Sequence, residues 1–276
     1  MKFFRRVMRA VLVCAVLSVV LEGCPTSSVA PAGAKAGLTE DQVGALGAKA
    51  GSGDKAALES LMTEAREGNP YAQLFLGILY ANGQGVPQDY GQAAQWYRRA
   101  AEQGEVDAQN NLGRLCDNGQ GVPQDHGQAV QWYRKAAEQG SAVAQINLGV
   151  AYAKGRGVPQ DQGQAAQWYR KAAEQGFAVA QFTLGVAYAK GEGVSRNNVA
   201  AYALLDLSAA QISSSGDDEL SEYRSSLIAR MTQQEIEAGQ ALSRKMSAPG
   251  QFLKALDGYL ASSRSAADSA TQSPPR

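Results

Sequence analysis

The sequence holds one histidine, three cysteines and no excess of either charge: Lys and Arg together number 26, as do Asp and Glu. A balanced chain lacks the basic stripe that nucleic acid attracts, so no nucleic-acid partner is expected. One histidine leaves little material for acid–base or metal chemistry. Cys14, Cys24 and Cys116 do not make a disulfide framework. Long hydrophobic runs are also missing. The longest, Ala10 to Leu21, would span about 18 Å as a helix, against about 30 Å of membrane hydrocarbon.

What the chain does have is repetition. AQLFLGILYANGQGVPQDYGQAAQWYRRAAEQGEVD begins at Ala72 and recurs 36 residues later at Ala108 and again at Ala144, with an eroded copy at Ala180. A period of this length marks a stacked repeat array. Within a unit, Ala72, Leu76, Leu79 and Tyr80 form one helical stripe, and Gly83 stands where it stops. In the GQGVP loop, Gly85 marks a backbone shape that side chains disfavour. Asp89 reads as the N-cap of a second helix with Gln92 as capping-box partner, repeated by Asp125/Gln128 and Asp161/Gln164. That helix carries Ala93, Trp96, Tyr97, Ala100 and Ala101, and ends at Gly104.

Small residues predict close helix contact. Gly77, Gly113, Gly149 and Gly185 fall in mid-helix, where Gly costs about 1 kcal/mol relative to Ala. Trp96, Trp132 and Trp168 are expected to fill the core between successive pairs. Cys116 takes the slot of Tyr80, Tyr152 and Tyr188 and reads as a buried small hydrophobe. His126 shares its slot with Tyr90, Gln162 and Asn198, which predicts a solvent-facing loop position without a catalytic role.

The AQ-x-x-LG opening, the G-x-GV loop and the A-x-x-WY-x-x-AAEQG second helix closely resemble the Sel-1-like repeat family, relatives of the tetratricopeptide repeats. The resemblance covers Ala72 to about Gln211. It implies an all-α fold, an α/α superhelical solenoid of helix-turn-helix repeats, and a protein–protein adaptor role. Some extracellular members staple each unit with a cysteine pair, which this chain lacks.

The flanks complete the expected organisation. Residues 1–23 read as an export signal, with Lys2, Arg5, Arg6 and Arg9 before the apolar run. Leu21-Glu22-Gly23-Cys24 resembles a bacterial lipobox, which would make Cys24 the lipidated residue, although Glu22 is unusual there. Pro25 follows, with no Asp to suggest inner-membrane retention, so the outer membrane is favoured. Residues 24–37 read as a flexible tether, 38–71 as N-terminal capping helices, 72–211 as four repeats, and 212–260 as C-terminal capping helices. Thr232 and Glu235 form a capping box, and 261–276 reads as a disordered tail.

No nucleophile–base set, metal-ligand set or cofactor motif emerges, so no enzyme, cofactor or metal is expected. The GQGVP loops lack the strand and the Lys-Ser/Thr of a P-loop. Binding is therefore sought where letters vary on the first helices. The rows are Leu74/Asn110/Ile146/Phe182, Phe75/Asn111/Asn147/Thr183 and Ile78/Arg114/Val150/Val186. From these, Phe75, Asn111, Arg114, Asn147 and Thr183 are the candidate partner-binding residues, on the expected concave face. The expected function is a lipid-anchored envelope scaffold holding a protein or peptide. The alternatives are a β-lactam-binding or cell-wall hydrolase, as the resemblance allows, and a secreted effector acting on a host.

Overall fold

The structure is a computed structural model that describes residues 38–212 and 218–271. The expected export signal, Cys24 and the tether lie outside the described residues. Among these residues there are thirteen helices and no strand. The described residues divide into two compact units, the first ending at Ala144 and the second beginning at Gln145.

The first unit contains α1 (Glu40–Gly51), α2 (Lys55–Arg66), α3 (Pro70–Asn82), α4 (Tyr90–Glu102), α5 (Val106–Asn118) and α6 (His126–Glu138). Helix α7 (Ala142–Lys154) starts just before the division. In the second unit follow α8 (Gln162–Glu174), α9 (Ala178–Lys190), α10 (Asn198–Ile212), α11 (Asp218–Ile228), α12 (Gln233–Met246) and α13 (Phe252–Thr271). This is the expected all-α architecture of helix-turn-helix repeats. The first repeat helix opens at Pro70, two residues before the sequence motif, because Asn69 caps it through the Tyr71 and Ala72 N–H groups.

The aspartate caps form at every expected place. Asp89 accepts from the N–H of Gly91 and Gln92, Asp125 from Gln128, and Asp161 from Gln164. The reciprocal bond of a capping box is not made there. The cap's own N–H already donates to the end of the first helix, Asp89 to the Tyr80 carbonyl at 2.9 Å and Asp125 to that of Cys116 at 2.9 Å. Thr232 and Glu235 do make the full box. In the loop, Gly85 has φ +70°, and a Cβ there would lie 2.1 Å from the Ala50 carbonyl oxygen. Both the conformation and the contact exclude a side chain.

The mid-helix glycines seat tyrosines. A Cβ on Gly77 would stand 2.4 Å from Tyr97, on Gly113 2.8 Å from Tyr133, and on Gly149 2.6 Å from Tyr169. The ring of the second helix thus lies on the bare backbone of the first. This corrects the expectation for the tryptophans. Trp96, Trp132 and Trp168 are only half-buried, stacked under Arg99, Lys135 and Lys171 at 4.6, 4.2 and 4.0 Å. Trp96 packs on the margin of the core, and the adjacent tyrosines fill its interior. Cys116 is buried, as expected.

In the fourth repeat the second helix looks eroded but is fully packed. Leu204 and Leu205 are both 0% exposed, and Leu205 takes the tyrosine's place against Gly185. The reason is α12, whose Gly239 lets the Tyr202 ring approach to where a Cβ would clash at 2.6 Å. Arg224 bonds both Tyr202 and Asp206, and Ser243 donates to the other oxygen of Asp206. Helix α13 also overturns an expectation. It runs on to Thr271 through a segment read as disordered tail, with Ser262 and Ser263 bonding back to the carbonyls of Tyr259 and Leu260. Residues 272–276 lie outside the described residues.

Candidate functional site: the face of the first helices

The candidate residues divide between the two units. Phe75, Asn111 and Arg114 lie in the first, Asn147 and Thr183 in the second. All five are half-buried. Phe75 turns its ring onto α1, where a Cβ on Gly47 would stand 2.5 Å from it, so it joins the N-terminal cap to the first repeat. Thr183 donates its hydroxyl to the Val179 carbonyl at 2.8 Å, within its own helix. Arg114 lies near the buried Tyr97 hydroxyl. Burial pushes that hydroxyl well above the usual phenol range, and the arginine charge opposes the shift. Cys24 lies outside the described residues.

One varying row is core. Leu74, Asn110, Ile146 and Phe182 are all buried, and Phe182 meets the ring of Tyr223 edge-on at 6.2 Å. Variation there reflects packing. The rows of Phe75 and Ile78 stay closer to the surface, although Val150 is also buried.

The first unit adds an acidic end to this face that the varying rows did not reveal. Glu105 caps α5 by accepting from the Ala108 N–H. Burial pushes its carboxyl up to about 7, and the charges of Asp107 and Glu40 add to that against the backbone bonds. Glu40 is raised too, by burial and then by Asp41 and Asp107. Glu105 stands 36 residues after Asn69 and 36 before Ser141, a polar cap slot, and that phase was available in the sequence. Among the described residues, no cluster of His, Cys, Asp or Glu has the makings of a metal site.

His126 is placed otherwise than expected. It opens α6, half-buried, with Nδ1 2.6 Å from Oδ1 of Asp117. The slot ties the second helix back to the end of the first. Tyr90 accepts from Gln88 there, and Gln162 donates to the Ala153 carbonyl.

Helix pairs joined by glycine loops, recurring in phase and packed through small residues, define an all-α repeat protein of the α/α solenoid class. The particular family follows from the match to the Sel1 repeat at residues 70–105, 106–141, 142–177 and 178–213, just over half of the chain. The chain belongs to the Sel1 repeat family, whose fold is consistent with a protein–protein interaction scaffold. It is similar to a Sel1 repeat protein from Oxalobacter formigenes, known as a crystal structure. The identity is 32% over 62% of this chain and 73% of that one, with a TM-score of 0.58. It is also similar to a protective antigen of uropathogenic Escherichia coli displaying an SLR fold. Here the identity is 27%, over 79% of this chain and 63% of that one, with a TM-score of 0.42. No curated protein matches the chain.

Proposed function

We propose that this chain is a lipid-anchored scaffold of a bacterial envelope, binding a protein or peptide through the face built by its first helices. It carries out no chemistry of its own in this reading. Cys24 bears the lipid, residues 25–37 tether the folded body, and the periplasmic face of the outer membrane is the site of action.

The observation that carries the binding role is the position of Asn111 and Arg114. Their neighbours on α5, Leu112, Leu115 and Cys116, are committed to the core, whereas these two polar side chains keep a partly open surface. An amide supplies donors and an acceptor together, and a guanidinium can grip a carboxylate in a bidentate way. A crosslinking pull-down from membranes tests the assignment. Replacing Asn111 and Arg114 together by Ala should lose the partner while the circular dichroism is kept. Replacing the exposed Gln131 and Gln167 of the second helices should not. Equal loss from both sets, or from neither, would remove the assignment.

A further inference from the structure

Of the first helices of the four repeats, only α5 is polar along its whole open stripe. Asp107, Asn111 and Arg114 follow one another at the i, i+4, i+7 spacing that puts residues on one side of a helix. The same slots hold Tyr71, Phe75 and Ile78 on α3, Val143, Asn147 and Val150 on α7, and Val179, Thr183 and Val186 on α9. Seven residues of helix set the backbones of Asp107 and Arg114 about 10 Å apart. Asp107 is exposed, and Asn111 and Arg114 are half-buried.

Neither charge is answered by an opposite one. Asp107 and Arg114 form no ion pair among the described residues. The carboxylate that follows Arg114 on its helix, Asp117, is taken by His126 at 2.6 Å. At the other end the charges gather with one sign. Glu40 is pushed up by burial and then by Asp41 and Asp107, and Glu105 by burial and then by Asp107 and Glu40. Between the two ends, the Asn111 amide makes no hydrogen bond among the described residues. Helix α3 lies alongside α5 and brings Tyr71, Phe75 and Ile78, all half-buried, as an apolar wall.

Each part specifies part of a ligand. The carboxylate end calls for a cation, and the guanidinium for a carboxylate that it can hold in a bidentate way. The amide supplies donors and an acceptor together. A helix pairs its own backbone groups internally, whereas an extended chain leaves them open, so the amide selects an extended chain. In such a chain residues i and i+2 face one side about 7 Å apart, and residue i+1 faces the other. Helical side chains lean toward the N-terminus of their helix, which shortens the gap from the Arg114 side toward that spacing.

We propose that the Asp107–Arg114 stripe of α5 reads an extended segment of a partner protein, with Lys or Arg and Asp or Glu two residues apart around an apolar residue. The basic side chain lies at Asp107 and Glu40, the acidic one at Arg114, and the apolar one against the wall of α3. This rests on the binding role proposed for the first-helix face and names the chemistry of its occupant.

The probe is a labelled peptide, blocked at both ends, with Lys-Leu-Glu between Gly-Ser arms, titrated by fluorescence anisotropy into the full chain. Saturable binding that weakens as salt rises is expected. Changing the peptide's Glu to Gln, or its Lys to Gln, should each lower the affinity by about fivefold, the worth of a partly exposed ion pair at low salt. The two losses belong to opposite ends of the stripe. Arg114→Gln should cancel the effect of the peptide's Glu and leave that of its Lys, and Glu40→Gln with Asp107→Asn should do the reverse. Absence of binding overturns the proposal, as do losses that are not paired end to end in this way. An unblocked Lys-Leu-Glu tripeptide that binds better than the blocked peptide would give the stripe to chain termini and overturn the choice of an internal segment. Should the peptide fail while Asn111→Ala with Arg114→Ala still loses the partner in the membrane pull-down, this inference alone falls. Should that pair also keep its partner, the first-helix face falls with it.

Discussion

Gln139 donates its amide to the side-chain oxygen of Gln109 at 2.8 Å, and Gln109 in turn donates to the Ala101 carbonyl at 3.2 Å. The last carbonyls of a helix lack the regular partner four residues on; that of Ala101 accepts the Gly104 N–H at 3.1 Å, and a buried side chain of the next helix adds a second bond. The arrangement recurs as Gln103 to Gln73 to the Ala65 carbonyl, and as Gln211 to Gln181 to that of Ala173. Within each unit the glutamines stitch one helix pair to the next.

Gln109→Leu should therefore destabilise the fold by about 1 kcal/mol, the net worth of a hydrogen bond, because the Ala101 carbonyl loses the buried amide but keeps the Gly104 N–H at 3.1 Å. Gln139→Ala, at an exposed helix end, should cost less, because water replaces its bond to Lys135. Urea denaturation of the two variants decides the order. Equal midpoints would mean that the buried amide carries no special weight.

The seating of tyrosine on glycine gives a second ordering. Tyr133→Ala should cost about 3–5 kcal/mol, the range for emptying a large aromatic site in a core. Trp132→Ala should cost clearly less, since part of that surface already faces solvent beneath Lys135. Gly113→Ala should cost about 1–3 kcal/mol by overpacking against the ring. A thermal melt in which Trp132→Ala is the worst of the three would return the core to the tryptophans.

The period and the caps were legible in the sequence because each rests on local rules: apolar spacing, Asp before a helix, Gly after one. Trp132 and Tyr133 were not separable that way. They are neighbours on one helix, and only the position of Gly113 on another decides which ring goes inward. The glutamine stitches left a trace, since Gln73, Gln109, Gln145 and Gln181 each follow the stripe alanine, but a polar letter there does not announce burial. The copy at Ala180 looked eroded because the packing partner of its second helix, α12, is not a repeat. On the binding face, varying letters marked the Phe182 row and the Asn111 row alike, and burial alone told them apart.

The anchor is tested directly. Labelled palmitate should enter the wild-type chain in a bacterial host and not the Cys24→Ser variant, and the wild type should partition into detergent. Equal labelling of both chains, or of neither, would leave the scaffold without its lipid.

Glu105 makes stability depend on pH in a direction opposite to that of an ordinary surface carboxylate. Burial, which disfavours the charged form, pushes its carboxyl in the folded chain up to about 7 from the ordinary 4.5. In that window the native chain holds a proton that the unfolded chain has released, so stability is greatest below about 4.5 and falls as pH rises to about 7. Each pKa unit corresponds to about 1.4 kcal/mol. Glu105→Gln keeps an oxygen for the Ala108 N–H and removes the charge. It should be more stable than the wild type at pH 8, with the advantage shrinking toward zero at pH 4. Urea midpoints of both proteins across that range are the measurement. A wild type that leads the variant at pH 8 would show that the helix N-terminus, through its hold on the Glu105 anion, outweighs burial and the repulsion from Asp107 and Glu40.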